Sequence, residues 1–135
     1  MVLQVGVKIF LSNPEGKYLL LHRSSIKYKD VHDAWDIVGG RINPGSPLID
    51  NLRREVKEET GLEIVSEPIL IYAQDILCGE EKHVVRLSYR GRTEGEPILD
   101  TDENTEYRWV SLGELGHWDN LDVYVKEIVD KGVIG

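Results

Sequence analysis

Hydrophobic and polar residues along the chain predict several strands, one central helix and one C-terminal helix. The first two apolar runs are separated by Asn13-Pro14-Glu15-Gly16, which has the composition of a tight turn. Residues 23–33 are polar and lysine-bearing, and we expect a loop there. Strands that are split by a helix and closed by another helix predict an α+β fold, with a mixed sheet and flanking helices. The predicted strands cover residues 2–11, 17–22, 35–38, 68–77, 83–89 and 105–110.

The central helix is predicted to lie between Ser46 and Gly61. Ser46 is the expected N-cap, and Pro47 would then be the first helical residue, where its missing N–H does no harm. Gly61 can adopt the left-handed conformation that ends many helices. An apolar stripe with helical spacing is formed by Leu48, Ile49, Leu52 and Val56.

The C-terminal helix is predicted from apolar residues spaced for one helical face within 121–129. Asp119 or Asn120 is its expected cap. In the sequence, the central helix comes before the last three predicted strands and the C-terminal helix comes after them.

Three glutamates share one face of the central helix. At about 100° per residue, Glu55, Glu58 and Glu59 fall at positions i, i+3 and i+4. Like charges at this spacing destabilise a helix by roughly 0.2–0.5 kcal/mol per pair. Their stripe adjoins the apolar stripe instead of opposing it, which places the carboxylates at the rim of a cleft. Clustered carboxylates are hard oxygen ligands that suit Mg²⁺ or Mn²⁺.

The segment that carries these glutamates, GRINPGSPLIDNLRREVKEETGL at residues 40–62, resembles the Nudix box. That pattern is Gly, five residues, Glu, seven residues, then Arg-Glu-apolar-x-Glu-Glu-x-Gly-apolar. One position departs from it, because Ser46 stands where the pattern has its first glutamate. The matching residues, all in register, are Gly40, Arg54, Glu55, Val56, Glu58, Glu59, Gly61 and Leu62.

The resemblance implies a single Nudix domain over residues 1–135, with the α/β/α sandwich of that family. It implies metal-dependent hydrolysis of a pyrophosphate linkage in a nucleoside diphosphate linked to another group, with Mg²⁺ or Mn²⁺ as cofactor. The implied metal ligands are the three glutamates and the backbone carbonyl of Gly40. Arg54 resembles the family arginine that orients the glutamates by ion pairing. The implied catalytic residues are Glu58, Glu55, Arg54 and Glu103.

The general base stays open between a helix glutamate and a carboxylate late in the chain. Glu103 begins the segment ENTEYRW, which is similar to the EHxxYxW element of some nucleotide-cleaving Nudix enzymes. Glu103 is therefore a candidate for a further metal ligand or for the base. A solvated acidic loop is the competing interpretation. A calcium loop is rejected, because Thr105 and Ser111 occupy positions that need glycine and glutamate.

Substrate-binding candidates lie around the glycine pair and in the loop before it. Gly39 allows close backbone approach to a phosphate, and Arg23 could reach one. Trp35 is a candidate wall for a nucleotide base, and plain packing is the alternative for each aromatic residue. Many ADP-ribose hydrolases of the family have a proline at the position of Cys78. Its absence here favours nucleoside triphosphates as substrates, including oxidised or non-standard ones. Further aromatic candidates are Tyr28, Tyr72 and Tyr89, and further basic ones are Lys27 and Lys29.

Ser46 supports a competing hypothesis. In the family, the glutamate at this position supports the metal site and its arginine. Losing such support typically costs 10–100-fold in affinity or activity, so we expect weakened metal binding. The alternative is a non-catalytic Nudix-fold module that binds nucleotides or regulates. A third hypothesis, an isoprenoid diphosphate isomerase, would need a cysteine and a histidine near the site, and Cys78 is isolated in the sequence.

Charge and composition narrow the expected partners. The formal net charge of −8 opposes binding to a nucleic-acid backbone, so a small-molecule nucleotide is the expected partner. We see no run of apolar residues long enough for a membrane span. The lone Cys78 and the lack of a signal-peptide pattern are the basis for expecting a cytoplasmic location. Dimers are common among Nudix proteins, so the resemblance makes a homodimer a candidate, while the sequence leaves the oligomeric state open.

Overall fold

The computed structural model describes residues 1–23, 34–100 and 104–135, without the side chains of Arg23 and Cys78. Within these residues no helix is long and apolar enough to cross a membrane. The strands are β1 (Val2–Ser12), β2 (Tyr18–Arg23), β3 (Trp35–Asp36), β4 (Val38–Arg41), β5 (Ile69–Cys78), β6 (Lys82–Arg92) and β7 (Asn104–Val110), and the helices are α1 (Leu48–Thr60), α2 (Leu112–Leu115) and α3 (Val123–Lys131).

All the described strands belong to one mixed sheet. Its main path runs β3-β2-β1-β6-β5, while β4 pairs with β1 and β7 pairs with β2. The long β1–β6 pair is parallel, and the other pairs are antiparallel. Residues 6–9 of β1 therefore have β4 on one side and β6 on the other, so the glycine pair of β4 lies level with Leu87 and Ser88 of β6, with β1 between them.

The strands bury alternate side chains on opposite faces, as the period of two requires. One core packs Val7 and Ile9 of β1 with Leu52 and Val56 of α1. The core on the other side of the sheet is built around Phe10 and Leu20, with Leu115 of α2 and Val125 and Ile128 of α3. Helices on both faces of a mixed sheet confirm the predicted α+β sandwich.

The predicted start of α1 is wrong by one residue, because Pro47 and not Ser46 is the N-cap. Pro47 is extended, with φ −60° and ψ 149°, so the helix begins only at Leu48. The carbonyl of Pro47 accepts the first helical hydrogen bond, from the N–H of Asn51 at 3.0 Å. Ser46 closes the preceding turn, where its N–H donates to the carbonyl of Asn43. The predicted stop is confirmed, since Gly61 is left-handed with φ 72°.

The C-terminal elements also differ from the prediction. The cap of α3 is Asp122, whose carboxylate accepts from the N–H groups of Tyr124 and Val125, so the prediction of Asp119 or Asn120 is wrong. The sequence analysis missed α2. This short helix opens with a reciprocal capping box between Ser111 and Glu114, for which the S-x-x-E spacing is a recognisable signal.

Candidate active site

A cavity of about 410 Å³ opens beside α1 and β4. Acidic side chains come from the helix and from the segment before β7, while basic side chains come from β1, β4 and β6. Because the two groups of charge face one space, the cavity suits a ligand that is itself anionic and is accompanied by cations. Its lining consists of Gly6, Lys8, Gly39, Gly40, Arg41, Glu55, Glu58, Glu59, Ile76, Val84, Arg86 and Asp100.

Close packing requires the glycine at position 39 of β4, and Gly40 lies against the carboxylate of Glu55. Gly39 has φ +143°, and a Cβ there would lie 2.1 Å from the carbonyl oxygen of Val7. A Cβ on Gly40 would lie 2.9 Å from the carboxylate carbon of Glu55. The missing side chains therefore let the backbone of β4 lie directly against β1 on one side and against a helix carboxylate on the other.

Glu59 is the most strongly perturbed acid of the site. Burial, together with the nearby charges of Glu55 and Asp36, raises the pKa of Glu59 to about 7. Attraction by Lys8 and a hydrogen bond from the backbone N–H of Gly39 oppose this rise. A carboxyl that is reluctant to ionise alone gains from a cation placed next to it.

Glu55 lies beside Glu59 on the same face of α1. Burial raises the pKa of Glu55 from its ordinary value, and Glu58 adds to the rise, while Arg54 and Lys8 oppose it. Desolvated carboxylates at the rim of a cleft are the arrangement that the sequence predicted for these positions.

Arg54 joins three side chains of α1. Its guanidinium donates to Glu58 at 3.0 Å, to Glu55 at 3.2 Å and to Asn51 Oδ1 at 3.0 Å. These acidic partners, first the hydrogen bond to Glu58, raise the pKa of Arg54. The side chain of Glu58 is 58% exposed, so this carboxylate lies at the outer edge of the site. The pairing of Arg54 with the helix glutamates, which the resemblance implied, is present.

A buried charge cluster that the sequence analysis missed lies under the glycine pair. The ammonium group of Lys8 lies 3.0 Å from Asp36 Oδ2 and donates to the carbonyl of Ile37 at 3.0 Å. Asp36 Oδ1 accepts from the N–H of Ile37 at 2.8 Å and from Arg86 at 3.2 Å. The cluster thereby fixes the strand segment that leads into Gly39.

Arg86 extends the cluster into the cavity. It is only 7% exposed, and its guanidinium also lies 3.4 Å from the carboxylate of Asp122. Its Nε has no hydrogen-bond partner among the described residues, although the side chain lines the cavity. A buried donor without a partner is costly unless a bound molecule supplies an acceptor.

Some predicted residues lie elsewhere. Trp35 is not among the described residues that line the cavity; its ring stacks on His22 at 4.8 Å and contacts Trp118 edge-on at 5.7 Å. Tyr89 is buried in the core beneath α1, and Tyr72 packs against the core on the other side. The other candidates outside the described residues are the side chain of Arg23 and all of Lys27, Tyr28, Lys29 and Glu103.

The donors fit a hard divalent cation, although they are not gathered around one point. Within the described part of the chain, no three acidic, histidine or cysteine side chains form a ready metal-binding group. Two carboxylates with raised pKa, Glu55 and Glu59, nevertheless face the same cavity as Gly40. Glu58 is held by Arg54 and would have to leave it to join them. Oxygen-only donors of this kind suit Mg²⁺ or Mn²⁺.

Comparison with known proteins agrees with this geometry. The profile of the NUDIX domain family matches residues 2–129. A Bacillus subtilis protein named "Putative 8-oxo-dGTP diphosphatase" is 35% identical over 111 residues, covering 82% of this chain and 68% of that protein. An RNA pyrophosphohydrolase of Bartonella bacilliformis is 28% identical, covering 82% of this chain and 78% of that protein.

Solved structures share the fold over nearly the whole chain. The MutT protein from Methanosarcina mazei Go1 superposes with a TM-score of 0.81 at 28% identity, covering 96% of this chain and 91% of that one. A MutT Nudix hydrolase from Burkholderia pseudomallei gives the same TM-score at 21% identity, which bears on the fold alone. The chain therefore belongs to the Nudix hydrolase family, and its reaction is the hydrolysis of a pyrophosphate linkage.

Proposed function

We propose that residues 1–135 act as one domain that hydrolyses nucleoside triphosphates to a monophosphate and pyrophosphate with Mg²⁺ or Mn²⁺. The observation that carries the proposal is the pair of desolvated carboxylates, Glu55 and Glu59, facing one cavity beside a glycine pair. In metal-free protein burial makes both carboxyls resist ionisation, and the charge of Glu55 makes Glu59 harder still to ionise. A divalent cation relieves both effects.

The metal would be held by Glu55, Glu58 and Glu59 together with the carbonyl of Gly40. When bound, it neutralises phosphate charge and lowers the pKa of a water molecule. In the metal-free protein Arg54 holds Glu55 and Glu58 along α1 through its hydrogen bonds, ready to turn toward a cation. The proton of the attacking water passes to a carboxylate, for which Glu58 and Glu103 are the candidates.

The side of the cavity away from α1 provides the contacts for the rest of the substrate. Arg86 Nε is a buried donor without a partner in the described residues, and Arg41 lines the same space. Because Gly39 has no side chain, a phosphate in the cavity can approach the backbone closely at this position. Arg23 and Trp35 remain predicted contacts for phosphate and base.

A small nucleotide is the substrate class that the chain favours. The names of two relatives point to nucleoside triphosphates: the Bacillus subtilis protein described above, and a nucleoside triphosphatase NudI of Salmonella schwarzengrund, which is 30% identical over 94 residues. The net charge of −8 opposes a long phosphate backbone. The proposal includes a cytoplasmic location, because the chain has a single cysteine. It also includes a homodimer, because dimers are common among Nudix proteins.

The test is a substrate panel with product identification by mass. Purified protein is incubated with Mg²⁺ or Mn²⁺ and with standard and oxidised nucleoside triphosphates, ADP-ribose, nucleotide sugars, dinucleoside polyphosphates and an RNA with a 5′-triphosphate. We expect metal-dependent release of nucleoside monophosphate and pyrophosphate from a triphosphate. Glu59→Gln should abolish it, while Glu63→Gln, an exposed acid outside the cavity, should not. Preferential cleavage of RNA or of another class would replace the substrate proposal, and nucleotide binding without cleavage would contradict the proposed reaction.

A further inference from the structure

Asn51 is a fully buried polar residue within the Nudix box, at a position that the family pattern leaves free. It lies in the first turn of α1 and has 0% of its surface exposed. A buried amide of this kind is costly unless its donors and acceptor are paired. Asn51 is paired, and its partners belong to the site.

The amide joins two separate parts of the site. Its Oδ1 accepts from the backbone N–H of Asn43 at 3.0 Å and from Arg54 Nη2 at 3.0 Å. Its Nδ2 donates to the carbonyl of Arg41 at 3.3 Å. Arg41 directly follows Gly40, so one side chain links the strand that carries the glycine pair to the arginine that pairs with the helix glutamates.

The contact matters because of the residue at position 46. The Nudix pattern has a glutamate there, and this chain has Ser46, whose short neutral side chain cannot form an ion pair with Arg54. The described partners of the guanidinium are Glu55, Glu58 and Asn51. Of these, the two glutamates are proposed metal ligands, so among the described residues Asn51 is the partner left to hold the arginine after they turn to a cation.

We propose that Asn51 is a positioning residue that takes over the arginine-orienting role which Ser46 cannot fill. The inference rests on the proposed metal site. When Glu58 leaves Arg54, the hydrogen bond to Asn51 Oδ1 keeps the guanidinium from following it into the cavity. A hydrogen bond from a charged donor to a buried acceptor is among the stronger kinds in proteins.

Two variants separate this role from plain support of the fold. Asn51→Leu removes all three hydrogen bonds at nearly constant size. Asn51→Asp keeps an oxygen for Arg54 and for the N–H of Asn43, but it loses the donor to the carbonyl of Arg41. The matched control is Thr93→Val, which removes a buried hydrogen bond to the carbonyl of Glu63 outside the cavity.

The readouts are Mn²⁺ affinity by electron paramagnetic resonance, kcat and KM at saturating metal, and melting temperature. For Asn51→Leu we expect Mn²⁺ affinity at least about tenfold weaker, in the range for residues that support metal ligands, with kcat reduced and KM nearly unchanged. Asn51→Asp should keep Mn²⁺ affinity within about threefold of wild type, on the same scale. Thr93→Val should lower only the melting temperature.

Two results would overturn the inference. One is an Asn51→Leu protein that binds Mn²⁺ and turns over like wild type, with only a lower melting temperature. The other is an Asn51→Asp protein as impaired as Asn51→Leu, which would assign the effect to the Arg41 contact. A wild-type chain that binds Mn²⁺ and cleaves nothing contradicts the proposed function alone, because the Mn²⁺ comparison still decides the role of Asn51. Absence of Mn²⁺ binding by wild type overturns both.

Discussion

Replacing Glu59 with glutamine should stabilise the metal-free protein while abolishing its activity. Glutamine has nearly the same shape, and its Oε1 can still accept the hydrogen bond from the N–H of Gly39. It never ionises, so it avoids the cost of placing a charge in this desolvated position. Glu59 would then lower stability and be necessary for the reaction, which is a trade-off found at many active sites.

The magnitude follows from the pKa of Glu59, which is about 7 in the fold against an ordinary value of 4.5. Each pKa unit corresponds to about 1.4 kcal/mol, so ionised Glu59 reduces the free energy of unfolding by up to about 3 kcal/mol. Below pH 4.5 the carboxyl is protonated in both states, and the reduction vanishes. It grows as pH rises between the two pKa values and is complete above pH 7.

The assay is thermal unfolding of wild type and of Glu59→Gln at a series of pH values, in the presence of a chelator. At pH 8 the variant should melt roughly 10 °C higher, at about 3–5 °C per kcal/mol for a chain of this size. At pH 4.5 the two should melt together. Mg²⁺ should then raise the melting temperature of wild type and leave that of the variant nearly unchanged.

Glu58→Gln is the matched control, since its side chain is 58% exposed on the same helix and loses only a surface ion pair with Arg54. Its metal-free stability should change by less than about 1 kcal/mol. The reasoning would be refuted if Glu59→Gln were less stable than wild type at pH 8, or if the difference between them did not depend on pH.

Three further changes test other parts of the account. Ser46→Glu introduces the box glutamate, and because Asn51 already holds Arg54 it should change Mn²⁺ binding by less than about threefold; a gain of about tenfold in calorimetry would show that Asn51 does not replace that glutamate. Gly39→Ala places a Cβ 2.1 Å from the carbonyl oxygen of Val7 at φ +143°, and should cost at least about 3 kcal/mol in urea unfolding; a loss below about 1 kcal/mol would contradict this packing. Ser111→Ala removes the cap of α2 and should cost about 0.5–2 kcal/mol, whereas an unchanged urea midpoint would mean that the capping box adds no stability.

The features that could be predicted from the sequence are the ones encoded locally. The register of Glu55, Glu58 and Glu59 beside the apolar stripe depends only on helical geometry, and Gly61 ends the helix through its own conformational freedom. The family and the fold class followed from this one segment. The sequence does not distinguish Ser46 from Pro47 as the N-cap, because a helix can begin after either residue. The extended backbone conformation of Pro47 determines which of them is the cap.

The features that escaped prediction depend on pairing between distant strands. Lys8 and Arg86 come together through the register of β1 against β6, and Asp36 reaches them because β3 leads directly into β4, which pairs with β1. A weak signal existed, since Lys8 stands inside the apolar run VGVKIFL, where an isolated lysine needs a buried partner. The role of Asn51 required the position of the carbonyl of Arg41, which the sequence does not give.

Hydrolysis in water enriched in oxygen-18 tests the central claim most directly. Wild-type protein, a nucleoside triphosphate and Mg²⁺ are incubated in labelled water, and the products are separated and weighed. Cleavage should depend on the metal and should place one labelled oxygen in one of the two products, with no label in unreacted substrate. Nucleotide binding with no cleavage and no label in any product, under the same conditions, would contradict it.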